Sequence, residues 1–291
     1  MRRVARAAAL RAARVLSLVL LAALGSVVLM RCSPGYFTET REMDAAHAAT
    51  ARSEVNALEA SQASVTHLLL SELKGWSQGD LGRSRHYDVP VFDLLKQRAG
   101  VTGRLLARAI IAGWLMALVL GIPLSARRGH QGELAVTAST AALLAIPVGV
   151  LATVSLLSNE GGPVSVLAVL IAIRDFKLLY RLLRVSWRAP HLLHARAQGL
   201  STARTAWVHL VPVLRRELIA LALMSLIVAL SSLVPVEVIF DVPGLGQLAW
   251  AAAMNRDLPV LAAVTALLAA CVGIASVFAS PEQSLEIAQC G

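Results

Sequence analysis

Residues able to do chemistry are few in this sequence, and they gather between positions 194 and 260. That stretch reads HARAQGLSTARTAWVHLVP, then an apolar run, then VPVEVIFDVPGLGQLAWAAAMNRDLPV. Glu237 and Asp241 stand at the end of the apolar run, beside a Pro-Gly-x-Gly turn where the backbone must leave regular helix. An ionisable residue at the edge of a membrane-length run is a functional candidate by default. Glu237 suits an outer gate or the capture of a positive group on a substrate, and equally a cap for the broken backbone before PGLG. Gly244 and Gly246 first of all permit the tight turn. In the earlier part, Gly199 lies between two helix-forming runs. A helix stopping there and restarting near Ser201 makes a short helical corner.

Other chemistry is missing. No GxxxxGK[ST] phosphate loop occurs, and the three lysines, Lys74, Lys96 and Lys177, have no glycine-rich cradle before them, so the chain does not hydrolyse ATP by that route. There is no HExxH helix, no GxSxG elbow and no carboxylate pair inside an apolar run. Cys32, Cys271 and Cys290 lie far apart without metal-site or disulfide-framework spacing. The expectation is a chain with no metal, no cofactor and no catalytic site of its own. If it moves a solute uphill, the energy comes from a partner.

The elements that position these residues are apolar spans. The chain has 291 residues, 57% hydrophobic and 15% charged, where a soluble domain carries about a quarter charged. A net charge of +9 raises nucleic acid as a partner, but the basic residues flank apolar runs and read instead as orientation signals. Nucleic-acid binding is therefore not expected. Six spans are expected, in an all-α polytopic fold. Residues 1–14 form a basic cytoplasmic N-terminus, and 15–30 an uncleaved first span, preferred over a signal peptide or a lipoprotein leader because Arg31 precedes Cys32. Residues 31–100 form an extracytoplasmic loop whose charges nearly balance, with Ala/Glu/Ser-rich helices and a GDLGRS turn at positions 79–84. Asp80 there caps a turn or meets a partner. The VPVFDLLKQR stretch that follows is expected on the membrane surface.

Residues 101–280 hold the other five spans, at about 102–124, 134–157, 164 onward, 218–235 and 259–278, each near the ~20 residues a bilayer requires. Arg104 and Arg108 are placed to snorkel at the outer end of the second span. The fourth is irregular: Arg174, Lys177, Arg181, Arg184 and Arg188 follow at steps of three and four, so five cations share one helix face. That face lies among inner-leaflet headgroups, with a basic wall along an internal cavity as the lesser alternative. The loop at 188–216 is bounded by Arg188, Arg215 and Arg216 and is expected inside. A C-terminal tail occupies 281–291.

The ordered motifs resemble the permease subunits of ABC importers of the dipeptide, oligopeptide and nickel type. An ARAKGL-like run followed by His and Pro is matched by Ala195, Arg196, Ala197, Gln198, Gly199, Leu200, His209 and Pro212. An E-x-x-F-x-x-PGLG run ending in NRD-x-P is matched by Glu237, Phe240, Pro243, Gly244, Leu245, Gly246, Asn255, Arg256, Asp257 and Pro259. GDLGRS is met by Gly79, Asp80, Leu81, Gly82, Arg83 and Ser84. The resemblance implies an inner-membrane subunit that pairs with itself or a sibling permease. Two ABC ATPase subunits would bind the ATP, and an extracytoplasmic solute-binding protein would deliver the solute. It also implies that the Gly199 corner is a coupling helix seated in a groove of the ATPase, and that transport runs by alternating access. The sequence departs from the family in its basic fourth span, in Arg104 and Arg108, in Leu193 where a glutamate is common, and in its tail. A membrane scaffold descended from a permease is the rival reading. An intramembrane enzyme ranks third, since no catalytic constellation can be assembled from the spans.

Overall fold

A computed structural model describes residues 2–32, 75–76, 79–126, 130–186, 204, 208 and 211–279. The described residues are all-α, with no strand beyond a single bridge between Arg83 and Pro90. The helices are α1 (Arg2–Cys32), α2 (Val91–Ala126), α3 (His130–Leu144), α4 (Val148–Leu157), α5 (Pro163–Ser186), α6 (Arg215–Ser231), α7 (Leu233–Ile239), α8 (Leu245–Met254) and α9 (Leu258–Ala279). The short turn Val211–Val213 precedes α6.

Among the described residues three helices are long and apolar enough to cross a bilayer, and five spans result if each of two bent pairs counts as one. The pair α3–α4 bends by 80° and the pair α6–α7 by 48°. Both bends have a proline at or just after the break. Pro147 caps the start of α4 with extended backbone, and Pro235 sits in the first turn of α7, where it withholds one N–H from the helical ladder. Helix α5 has 24 residues, long enough to cross, but its second half carries Arg174, Asp175, Lys177, Arg181 and Arg184.

Helix α2 is longer than the span expected from about 102: from Val91 onward the VPVFDLLKQR stretch is the N-terminal part of one helix of 36 residues. Gly100 and Gly103 do not break it, and both face open space. Asp93 in its first turn complements the helix dipole.

The described residues form two compact units, 1–99 with 247–273 and 100–246 with 274–291. In the first, Val15 on α1 approaches Gly273 on α9, and Ser26 approaches Thr265, so the two helices run antiparallel. Val27, Leu258 and Ala262 form their buried seam, with Trp76 and Leu261 against it. In the second, α5 is the hub, packing against α3, α4, α6 and α7. Ala117, Leu179, Leu183, Leu214 and Leu221 make its core. Gly113 on α2 lets the backbones of α2 and α5 meet: a Cβ added there would lie 2.8 Å from the Ala168 carbonyl oxygen and 2.9 Å from Ile171 Cβ. Only a glycine fits so close an approach.

Candidate functional site

The PGLG segment owes its shape to two helix ends. Helix α7 stops in a Schellman motif: Asp241 is left-handed at φ +50°, its N–H reaches the Val238 carbonyl at 3.3 Å, and the Val242 N–H reaches that of Glu237 at 2.8 Å. Pro243 then prevents helix from resuming at once. Helix α8 begins at Leu245, and its first N–H groups lack intrahelical partners. Two side chains from other helices supply them. Glu237, fully buried on α7, accepts the Gly246 N–H at Oε2 (2.7 Å) and the Thr102 hydroxyl at Oε1 (2.7 Å). Thr102, on α2, in turn accepts the Leu245 N–H at Oγ1 (2.8 Å). The carboxyl group also rules out any side chain at position 244, since a Cβ there would overlap Glu237. At position 246 it would lie 2.9 Å from the Val234 Cα. The two glycines are thus required by close packing of the loop onto α7. Glu237 faces no solvent here; it fastens the start of α8 to α7 and α2. Phe240 is half-buried, while Pro243 is exposed.

The same terminator recurs at the end of α8. Arg256 is left-handed at φ +55°, its N–H pairs with the Ala253 carbonyl (3.4 Å), and the Asp257 N–H with that of Ala252 (2.8 Å). Asn255 is exposed and donates its side-chain amide to Ala251. This turn swings Asp257 inward, where it is 1% exposed. Its Oδ2 accepts the Ser84 hydroxyl and the His86 N–H (3.3 Å), and Ser84 Oγ itself accepts the Tyr87 N–H (2.9 Å). Asp257 Oδ1 is buried with no hydrogen-bond partner among the described residues.

The GDLGRS turn is thereby moored to the NRD turn. Asp80 caps its own turn, accepting the Gly82 N–H at 2.8 Å, and Gly79 and Gly82 adopt positive φ. Leu81 and Gly82 are half-buried, and Gly82 lies over Pro259. Backbone bonds from Ser84 to Val89 and from Val91 to Gly82 close the loop onto the start of α2. Its outer rim is exposed and carries an Arg83–Asp88 ion pair at 3.6 Å, whose solvent setting makes it worth little.

A third polar cluster lies within the helices. Asp175 on α5 is fully buried and accepts the Ser225 hydroxyl of α6 at 2.5 Å, while Ser225 Oγ accepts the Trp114 indole N–H at 3.1 Å. Beside it, Arg174 donates to the Met224 carbonyl at 2.9 Å. Among the described residues no group of three His, Cys, Asp or Glu could hold a metal ion.

The sequence pattern of the family described as "Binding-protein-dependent transport system inner membrane component" matches residues 109–280. The chain belongs to that family. No curated protein matches it. It is therefore a polytopic inner-membrane permease component of an ABC-type importer, from a transport family and not a catalytic one. Membership implies ATPase and solute-binding partners.

Of the permease's expected coupling residues, Ala195, Arg196, Ala197, Gly199, Leu200 and His209 lie outside the described residues, as do most of the loop at 31–100 and the tail at 281–291. Pro212 is described: it is exposed, two residues before the buried Leu214. Thr102, Asp175, Ser225 and Trp114 were not singled out in the sequence, and Ser84 stood there only as the last residue of GDLGRS. Asp175 had a usable signal, an acid within a span. Thr102 had none, since a lone threonine in an apolar helix is unremarkable until Glu237 is placed beside it.

Proposed function

We propose that the permease carries small peptides, or a solute of similar size and polarity, inward by alternating access, paired with a second permease above two ATPase subunits. The observation that carries this reading is the mooring of GDLGRS to NRD through Ser84 and Asp257. Two separated parts of the dipeptide-type signature thus serve one structural purpose, which favours that subtype over other importers. The loop they form would receive the solute-binding protein on the outer side.

On the cytoplasmic side, the Gly199 corner would dock into the ATPase. Small residues at Ala195, Ala197 and Gly199 allow close helix approach, and flanking arginines can pair with acids of the partner. The exit from this loop supplies a lever. After Pro212 the chain enters the core at Leu214, which packs with Leu179 and Leu183 of α5 and Ala117 of α2. A displacement of the corner would reach both helices through that cluster, because a close-packed core transmits strain and does not absorb it. At the outer end, Glu237 and Thr102 would make α2, α7 and α8 respond together, as one gating element and not as a charge exposed to the solute.

The test is mild extraction of the tagged chain from its native membrane, with mass spectrometry of the proteins that remain bound, followed by uptake measurements in vesicles. Co-purifying ATPase subunits and a second permease, with ATP-dependent peptide uptake, are expected. Replacing Gly199 with tryptophan should leave ATP hydrolysis and abolish uptake. Recovery of the chain alone, with no uptake, would replace the importer by a membrane scaffold.

A further inference from the structure

In the second unit, α2, α3 and α5 enclose a cavity of about 210 Å³, open on one side. Met116, Leu120, Thr140, Leu143, Val169 and Phe176 are among the residues lining it. Among the described residues no ionisable side chain lines it, and its hydroxyls are already spent: Thr140 donates to the Val136 carbonyl at 2.7 Å and Ser139 to the same oxygen at 3.2 Å. A peptide or a metal ion would lose its hydration there without replacement.

The face of α5 that lines the cavity continues into cations. Phe176 lines it, Tyr180 follows one turn on with ring centroids 6.1 Å apart, and Arg184 follows one turn after that. Arg184 donates to the Tyr180 hydroxyl at 2.5 Å and lies 5.7 Å from its ring centroid, which holds the guanidinium in place. Ile173 also lines the cavity, and Lys177 and the exposed Arg181 follow it at steps of four. Arg174 is turned elsewhere, to Met224. From Phe176 to Arg184 is eight residues, ~12 Å along the helix. Half the ~30 Å hydrocarbon thickness is ~15 Å, so an acyl chain whose tail reaches the cavity has its headgroup beside these cations.

We propose that this cavity and the Lys177, Arg181 and Arg184 side chains together form a binding site for one anionic phospholipid of the inner leaflet, with an acyl chain in the cavity and the phosphate on the cations. The leaflet follows from the cation-rich end of α5 facing the cytoplasm. The site requires only the membrane setting that family membership supplies. It does not depend on the solute or on coupling to an ATPase.

The full chain, with whatever subunits accompany it, is reconstituted in vesicles of equimolar phosphatidylglycerol and phosphatidylcholine with identical acyl chains. It is then re-extracted mildly, and retained lipid is counted by native mass spectrometry. Phosphatidylglycerol should be retained in preference. Lys177→Gln and Arg181→Gln should each lower its retention about fivefold, the worth of one cation near an anionic surface. Lys177→Arg should preserve it. Val169→Trp, which fills the cavity mouth, should remove both lipids. Equal retention of the two lipids, or phosphatidylglycerol that survives the double charge removal or Val169→Trp, overturns the proposal. Displacement by inorganic phosphate with Val169→Trp silent would mark a bare anion site and overturn it as well.

Discussion

Replacing Thr102 with valine keeps the shape of the side chain and removes one hydroxyl that makes two bonds. The Leu245 N–H loses its acceptor at 2.8 Å, and Glu237 Oε1 loses its donor at 2.7 Å, both in buried surroundings. A buried polar group left unsatisfied costs about 1–3 kcal/mol, so two cost at least about 2 kcal/mol. The loss falls on the start of α8, because Leu245 and Gly246 are the N–H groups that Thr102 and Glu237 hold. Hydrogen exchange by mass spectrometry on the full chain in detergent should therefore show peptides covering 241–248 exchanging at least about thirtyfold faster, at about 1.4 kcal/mol per factor of ten. Thr102→Ser is the control: it retains the hydroxyl and loses one methyl group, about 0.8 kcal/mol, or about fourfold. If Thr102→Val and Thr102→Ser exchange alike in that segment, the hydroxyl does not fasten the loop, and the gating element built on Glu237 fails with it.

Three further outcomes can be checked on the same material. Ser84→Ala strands the Tyr87 N–H and takes a donor from Asp257, a loss of about 1–3 kcal/mol. Tryptic cleavage after the exposed Arg85 should rise about tenfold, whereas Arg83→Gln, on the exposed ion pair, should leave stability nearly unchanged. Gly113→Ala drives a Cβ into the α5 backbone and should destabilise by about 1–3 kcal/mol, while Gly103→Ala, facing open space, should stabilise by about 0.5–1 kcal/mol, both read from thermal unfolding in detergent. Ser225→Ala leaves Asp175 with neither oxygen bonded and the Trp114 indole N–H without its acceptor. It should cost at least about 2 kcal/mol, with a shift in Trp114 fluorescence, and no such shift would separate Trp114 from the cluster.

By itself the sequence determined the class of this protein and most of its punctuation. Apolar runs of bilayer length are a property of composition over ~20 residues, so they are visible without any contact map. Local backbone chemistry is equally legible: the PGLG and NRD turns fall where Pro243, Gly244 and Pro259 forbid or end helix, and Asp80 caps the turn it lies in. The family match at 109–280 takes in the PGLG and NRD turns, while Asp80 lies before it.

What the sequence left open was which polar groups meet. Glu237 suited both a gate and a cap, and the hydroxyl that fastens its carboxyl group belongs to Thr102, 135 positions away. Asp257 and Ser84 belong to two separate motifs, 173 positions apart, and nothing in either names the other. Periodicity reports that a helix has an apolar side but not what will cover it. Gly113 illustrates the limit, since its need for hydrogen in place of a methyl group arises from α5 pressing on it. The second span was expected from about 102, yet α2 begins at Val91 and runs through Gly100 and Gly103, because a glycine costs a helix only about 1 kcal/mol and the buried Leu94, Leu95, Leu105 and Leu106 on either side outweigh it. Propensity is decided residue by residue, whereas burial is decided by neighbours that only the folded chain brings together.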